Sequence, residues 1–592
     1  MGSIFSAALE RTSERLDRLL GWDRLPLPIA ILTLVGLRTR LRNRNLHDTG
    51  KGRRAAEPHA RPADYLTART IDGTFNDLND PQMGALHARF GRNVPLVHTW
   101  PEPDDALLEP NARLVSRKLL TRDEFSPATT LNLLAAAWIQ FEVHDWFSHG
   151  QGEEENPWQL PLEEGDPWFE NPMRIPRAKR DPSGDPSGPP TYVTEDTHWW
   201  DASNVYGGNE ELANALRTGE HGKLRIDDLG LPPTELEKHI DLKGVAGNFW
   251  IGLALLHSLF MREHNAICDH LHANDRDLDD EGLYQKARLV NAALMAKIHT
   301  VDWTPAVIAH PTTVVALRAN WWGILGEGFV KRFGRLTAND VIRGIPGSPT
   351  DHHTAPYSLT EEFVAVYKMH PLIPDDFTFR SLRDDSVTQE RTLPEVGALE
   401  VRTRLEEMPM TDVLYSFGRM HPGAIELHNY PRFLQDFKRP AGDEIDLAAT
   451  DIIRTRERGV PRYNQFRRLF HLEPVRSFRE LTENPEWADE LEEVYGDVEL
   501  VDHMVGMYAE PKPRGFGFSD TAFRVFILMA SRRLKSDRFF TRDYRPEVYT
   551  KAGIDWVEEN SMRSLLLRHF PELEPALQGV ENPFAPWRQV GR

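Results

Sequence analysis

Cysteine is nearly absent. A single Cys268 in 592 residues excludes an intrachain disulfide, so the fold must stand on packing and on any ion or cofactor it binds. Surplus positive charge is missing too: 70 Lys and Arg against 90 Asp and Glu give a formal charge of -20. That balance argues against a nucleic-acid partner, because a phosphate backbone rewards the opposite one. Long hydrophobic runs are lacking; the best, PLPIAILTLVGL at 26–37, falls short of the roughly 20 apolar residues a spanning helix needs. No basic n-region leads into an apolar stretch and a small-residue cleavage site, so no secretory signal is read. The expectation is an intracellular protein, soluble or peripherally attached to a membrane. Strand alternation bounded by turns is also scarce.

Helical periodicity is what the chain has instead. The stretches 131–147, 247–273, 280–303 and 520–540 carry apolar residues at spacings of three and four without internal proline, which predicts an all-α fold built as one large helical domain over 61–592. Residues 1–60 read as a separate segment: Leu9, Leu16, Leu19 and Leu20 recur at helical spacing, and Arg38, Arg40, Arg42, Arg44, Lys51, Arg53 and Arg54 follow the apolar run. Two readings fit it equally, contact with an anionic membrane surface or an amphipathic helix packed on the protein's own body. Residues 150–190 hold nine prolines with acidic and Gly/Ser clusters and read as a long irregular excursion.

Three stretches carry chemistry. VAVYKMHPLIPDDF, 364–377, sets Tyr367 and His370 three apart ahead of Pro371 and Pro374, which predicts neighbours on one helical face just before the helix ends. QFEVHDW, 140–146, sets Gln140 and His144 one turn apart; either alone is more often an ordinary core residue. THWWDAS, 197–203, offers Thr197, Asp201, Ser203 and the Trp199 carbonyl, an oxygen-rich loop of the kind hard cations favour, close in character to Asp145.

With LFMREHNAICDHL and RTRERGVPRYNQFRRL, these stretches resemble, in order, the animal haem peroxidase and cyclooxygenase superfamily, and most of all its fatty-acid alpha-dioxygenases. The resemblance spans residues 140 to about 540. It implies haem b bound by His370 as proximal ligand, Tyr367 as the radical site, and His144 with Gln140 on the distal side. It further implies calcium held by Asp145, Thr197, Trp199, Asp201 and Ser203. His299 and Thr304 match two of the family's carboxylate-binding residues, and Arg533, with Arg532 as second choice, supplies the third. A guanidinium suits that task because it binds a carboxylate through two parallel bonds.

Departures from the pattern matter as well. VAGNFWIG, before the REHN motif, contains no acid able to form an ester to haem and no arginine, so the haem should be non-covalent and halide oxidation is not expected. Where peroxidases place an asparagine behind the proximal histidine, this chain has Asp451, which would raise the ligand's basicity. The implied activity is dioxygenation of long-chain fatty acids at carbon 2 by a monomer using O2 and an activating peroxide. The alternatives are a mid-chain dioxygenase of the diol-synthase type, or a plain haem peroxidase or haem-binding protein.

Overall fold

In the computed structural model, residues 2–50, 62–233, 249–397, 400–438 and 444–591 are described; Lys51, Arg53 and Arg54 lie outside them. The elements that frame the site are helices α1 (Gly2–Leu20), α2 (Leu27–Arg44), α3 (Leu134–Val143), α4 (Ile251–Asn274), α5 (Asp280–Ile298), α6 (Pro311–Trp322), α7 (Glu361–Val366), α8 (Leu447–Glu457) and α9 (Asp520–Ser536). Among the described residues the strands form only three two-stranded sheets, so the all-α expectation holds.

The long helices start where side chains can cap them. Asp279 accepts from the Gly282 N–H at 2.8 Å ahead of α5, and Ser519 from the Ala522 N–H at 3.1 Å ahead of α9; each satisfies an N–H that the first turn would leave unpaired. α4 is buried along most of its length and packs on both α3 and α5. At the α3–α4 contact, Phe141 stacks on Phe260 with centroids 5.6 Å apart. This apolar bed fixes the end of α3, and with it Gln140 and His144.

α1 and α2 form a hairpin that lies on α6 and α9. Trp22 in its turn is buried, donating from Nε1 to Asp520 at 3.0 Å. The N-terminal segment therefore packs on the protein's own body, yet Leu19, Leu20, Leu27, Ile29 and Leu32 remain exposed on it.

Two expectations need correction. The excursion at 150–190 is not wholly irregular: β1 (Glu153–Leu160) and β2 (Met173–Arg177) pair antiparallel. Their prolines are tolerated because a two-stranded ribbon is all edge, and Pro157 sits where the register slips between Glu153 and Trp158. The second correction concerns Tyr367 and His370, which do not share a helix. α7 ends at Val366, Tyr367 caps it, and His370 opens a 3-10 turn, His370–Leu372. Pro371 has no N–H to give the Tyr367 carbonyl, so an α-helix cannot run on through His370 and ends one turn earlier than the spacing suggests.

Candidate active site

Two spaces meet at Tyr367. The larger is a cavity of about 620 Å³ lined by Gln140, His144, Trp250, Tyr367, His370 and mostly apolar neighbours such as Ile139, Val143 and Leu372. The smaller, about 20 Å³, is lined by Trp146, Trp200, His299, Thr304, Tyr367 and Arg533. Tyr367 is the residue common to both.

In the larger cavity His370 sets Nδ1 3.1 Å from Asp451 Oδ2 on α8. Lys368 lies 3.1 Å from the other carboxylate oxygen and also donates to the Asp451 carbonyl at 2.8 Å. Burial would raise the Asp451 carboxyl, but Lys368 and His370 outweigh it and hold it down at about 2. Asp451 is thus an anion that turns one ring nitrogen of His370 toward itself and leaves Nε2 for the cavity, the arrangement that orients a metal-ligating histidine. His144, just past the end of α3, is held down at about 4 by burial and is a neutral base at ordinary pH. Trp250 Nε1 donates to Gln140 Oε1 at 2.6 Å, fixing that amide. A single histidine backed by a carboxylate, an apolar lining and a volume within the roughly 300–1,000 Å³ of cofactor sites fit haem.

The smaller pocket is built around an unpaired cation. Arg533 is buried, and Nε, Nη1 and Nη2 are all without a hydrogen-bond partner. Its guanidinium carbon lies 3.9 Å from the Trp146 ring centroid and 4.7 Å from that of Trp200, so two indoles hold the charge. Arg532, by contrast, donates to the His352, Ser358, Ala355 and Pro356 carbonyls. The geometry therefore separates the two arginines, and Arg533 is the one with donors to spare.

Trp138 Nε1 donates to His299 Nδ1 at 3.1 Å; an indole cannot accept in return, so the His299 hydrogen sits on Nε2. Burial, and after it Arg533, keeps His299 neutral. The helix expected through Trp303 ends as an α-helix at Ile298 and continues as a π turn, His299–Trp303. That wider turn brings the Thr304 hydroxyl onto the His299 carbonyl at 2.7 Å, which is how residues five apart come to line one pocket.

On the far side of α3, Asp145 accepts from the Ser203 N–H at 2.5 Å and the Ser203 hydroxyl at 2.7 Å, while Thr197 donates to Asp201 at 2.8 Å. Asp145, Asp201, Thr197, Ser203 and Trp199 are all buried. Burial, then the like charge of Asp201, pushes the Asp145 carboxyl up. Two buried carboxylates that repel each other, flanked by hydroxyls, suit a hard divalent cation. Among the described residues, no group of three or more His, Cys, Asp and Glu is placed to hold a metal.

Residues 68–582 match the profile of the animal haem peroxidases. The chain belongs to the animal haem peroxidase family. Among alpha-dioxygenases, it is 37% identical to the PIOX protein of Pisum sativum, over 99% of this chain and 92% of that one. The crystal structure of the Oryza sativa fatty acid alpha-dioxygenase superposes with a TM-score of 0.90 at 36% identity, covering 98% of this chain and 97% of that one. A tyrosine-to-phenylalanine variant of the rice protein, solved with palmitic acid, matches with the same TM-score and coverage at 35% identity.

Within this peroxidase fold, some site residues carry no role in the sequence reading. Glu142, in the QFEVHDW motif, is fully buried; Oε2 accepts from Trp200 Nε1 at 2.8 Å, Oε1 has no partner, and burial pushes its carboxyl up to about 8. Lys368, Trp138, Trp146 and Trp200 were open to notice only by adjacency, since three of them sit inside or beside the motifs and Trp138 lies two residues before Gln140. Of VAGNFWIG, residues 245–248 lie outside the described residues.

Proposed function

We propose that this chain is a haem-dependent fatty-acid alpha-dioxygenase that converts a long-chain fatty acid and O2 to the 2-hydroperoxy acid. The observation that carries the reading is Tyr367, shared between the His370/His144 cavity and the pocket where Arg533 has no partner. A fatty acid held by its carboxylate at Arg533 and the His299 Nε2–H, with the Thr304 hydroxyl turning from the His299 carbonyl to reach it, puts carbon 2, rather than a mid-chain carbon, beside the phenol. The mid-chain alternative needs the carboxylate anchored remotely from Tyr367, and so fits this pocket less well.

Haem b, held non-covalently through His370, would supply the oxidising power of a peroxide-activated iron. His144, kept neutral by burial, takes a proton from the peroxide and returns it to the departing oxygen. Tyr367 gives up its phenolic hydrogen; its pKa is raised, chiefly by burial, so the neutral phenol is the resting form. The phenoxyl removes one hydrogen atom from carbon 2, O2 adds to the carbon radical, and the peroxyl radical takes the hydrogen back from Tyr367. The balance is RCH2COO⁻ + O2 → RCH(OOH)COO⁻, and one activation serves many turnovers. Arg533 and the two indoles hold the substrate so that the reacting atoms stay aligned.

Calcium at Asp145 and Asp201 would tie α3 to the 197–203 loop and relieve the repulsion between the two acids. The working unit of this reading is a monomer. No described helix is long and apolar enough to cross a membrane. The exposed Leu19, Leu20, Leu27, Ile29 and Leu32 of the N-terminal hairpin support peripheral contact with a lipid surface instead. The buried Cys268 suits an intracellular protein independent of disulfides.

The test is incubation of the haem-loaded protein with palmitic acid, with and without O2, followed by mass spectrometry. Oxygen-dependent 2-hydroperoxypalmitate is expected. Inertness toward saturated acids, with linoleic acid oxygenated at an allylic carbon, would turn the substrate end for end and favour the mid-chain reading.

A further inference from the structure

A pair of partly buried cations lies along the route to Arg533. Arg38 and Arg42 stand one turn apart on α2 and line a groove of about 120 Å³ between α2, α6 and α9. The groove is apolar for most of its wall, with Leu34, Ile308 and Phe523 among the lining residues. Arg38 spends one donor on Asn320 Oδ1 at 3.3 Å, and Arg42 one on Ser531 Oγ at 2.9 Å. Neither is within ion-pair distance of a carboxylate among the described residues, and Arg42 Nε is buried with no partner. A guanidinium carries five N–H donors, so protein groups take only a minority of their capacity.

The groove continues into the Arg533 pocket: Leu317, Asn320, Phe526, Ala530 and Ser531 line both. Its outer end reaches Ile324 and Val341, about half exposed at 48% and 51%. The polar residues common to the two spaces, Asn320 and Ser531, are the ones the two arginines contact. One facing charge is paired elsewhere: Asp340 lines the groove but lies 3.3 Å from Lys535; Asp351 attracts Arg42 from farther off and accepts from the His353 N–H at 2.7 Å. Arg532, the other cation near Arg42, is spent on four carbonyls. Burial depresses both Arg38 and Arg42, and the attraction of Asp340, with that of Asp351 on Arg42, offsets it only in part.

We propose that Arg38 and Arg42 form a second carboxylate site, a station in the substrate channel that receives the fatty-acid headgroup before it passes to Arg533. This deepens the reading of Arg533 as the final anchor and rests on it. A fatty acid that enters headgroup first must draw an ionised carboxylate between apolar walls, and an unpaired charge crosses such a stretch only at great cost. Arg38 and Arg42 take that charge at the outer end, and Asn320 and Ser531 bridge the interval. The acyl tail then fills the groove that the headgroup has left. The ligand class is a monocarboxylate with a long apolar chain; the neutral alcohol of equal length shares the apolar contacts and lacks the charge.

The experiment is equilibrium binding of dodecanoic acid and of 1-dodecanol to the haem-loaded protein under nitrogen, where no turnover occurs. The wild-type protein should prefer the acid, and Arg533→Gln should lower that preference without abolishing it, leaving the acid favoured by about tenfold, the worth of a charged hydrogen bond. Adding Arg38→Gln and Arg42→Gln to Arg533→Gln should erase the preference. Adding Arg38→Lys and Arg42→Lys instead should keep it, which separates loss of charge from damage to the hairpin. Equal binding of acid and alcohol by Arg533→Gln overturns the station while sparing the Arg533 anchor. Acid preference undiminished by Arg533→Gln overturns the anchor instead, and preference that survives in the triple Gln variant places the second charge elsewhere and overturns the station.

Discussion

Arg533 holds its guanidinium carbon 3.9 Å from the centre of the Trp146 ring, and yet none of its three nitrogens has a partner. A buried cation without an acceptor is costly unless a ligand supplies one, and a carboxylate supplies two. Arg533→Ala should raise the KM for fatty acids by about 10- to 100-fold, in line with roughly 1.5–3 kcal/mol for a charge-assisted hydrogen bond. Arg532→Gln should lower the melting temperature instead, because it strips several carbonyls of their donor. Equal effects of the two substitutions on KM would remove the distinction drawn between them.

His299 offers a finer test of the same pocket. The Trp138 donor fixes the His299 hydrogen on Nε2, so Trp138→Phe should release the tautomer and raise KM about fivefold, near the roughly 1 kcal/mol of one net hydrogen bond. Haem absorbance should not change. A KM equal to wild type would mean that His299 does not donate to substrate.

Asp451 is expected to act on haem affinity. Asp451→Asn keeps the shape, removes the anion behind His370, and leaves Lys368 buried without its counter-charge. Changes of this kind behind a metal ligand typically cost 10–100-fold in affinity. Titrating the apoprotein with haem and following the Soret band gives the number directly; unchanged affinity would show that the carboxylate does not tune His370.

Acid should destabilise the fold through its buried imidazoles. His144 and His257 are held at about 4 and about 3, chiefly by burial, whereas unfolded histidine titrates near 6.5. Below about 6.5 the unfolded chain therefore binds protons that the native one refuses, and stability falls with pH. Glu142 has the opposite sign. Neutral in the native state up to about 8 and ionised in the unfolded chain above roughly 4.5, it loses its contribution as pH rises between those values. Melting curves should thus fall from pH 7 to 5 in the wild type. Glu142→Gln, which retains an acceptor for Trp200, should remove the opposing Glu142 contribution between about 4.5 and 8 and so steepen the fall from pH 7 to 5. Glu142→Leu should cost about 1–3 kcal/mol at every pH by stranding the Trp200 N–H.

The sequence made the long helices legible because α4, α5 and α9 carry unbroken apolar periodicity and cap residues such as Asp279 and Ser519. It also marked Tyr367, His370, His144 and Arg533, since each falls within or near a motif. The turn at Tyr367 escaped because helical spacing weighed more than Pro371. The β1–β2 ribbon escaped because proline was counted against strands without regard to their edges. Asp451, 81 positions from His370, was legible only through the family resemblance, which sets it behind the proximal histidine. Trp138, 161 positions from His299, escaped altogether. That contact exists only once α3 and the π turn after α5 have packed, and no local pattern encodes it. The choice between Arg532 and Arg533 belongs to the same class, because only the packed structure shows which guanidinium has spent its donors.

The central claim is that Tyr367 links the two spaces chemically as well as spatially. The most direct measurement is the yield of 2-hydroperoxypalmitate from palmitic acid and O2 with haem-loaded Tyr367→Phe, a change that removes one oxygen from a residue lining both pockets. The account predicts no 2-hydroperoxypalmitate, with the Soret band and slow peroxide reduction retained. Product formed at the wild-type rate by Tyr367→Phe would contradict it.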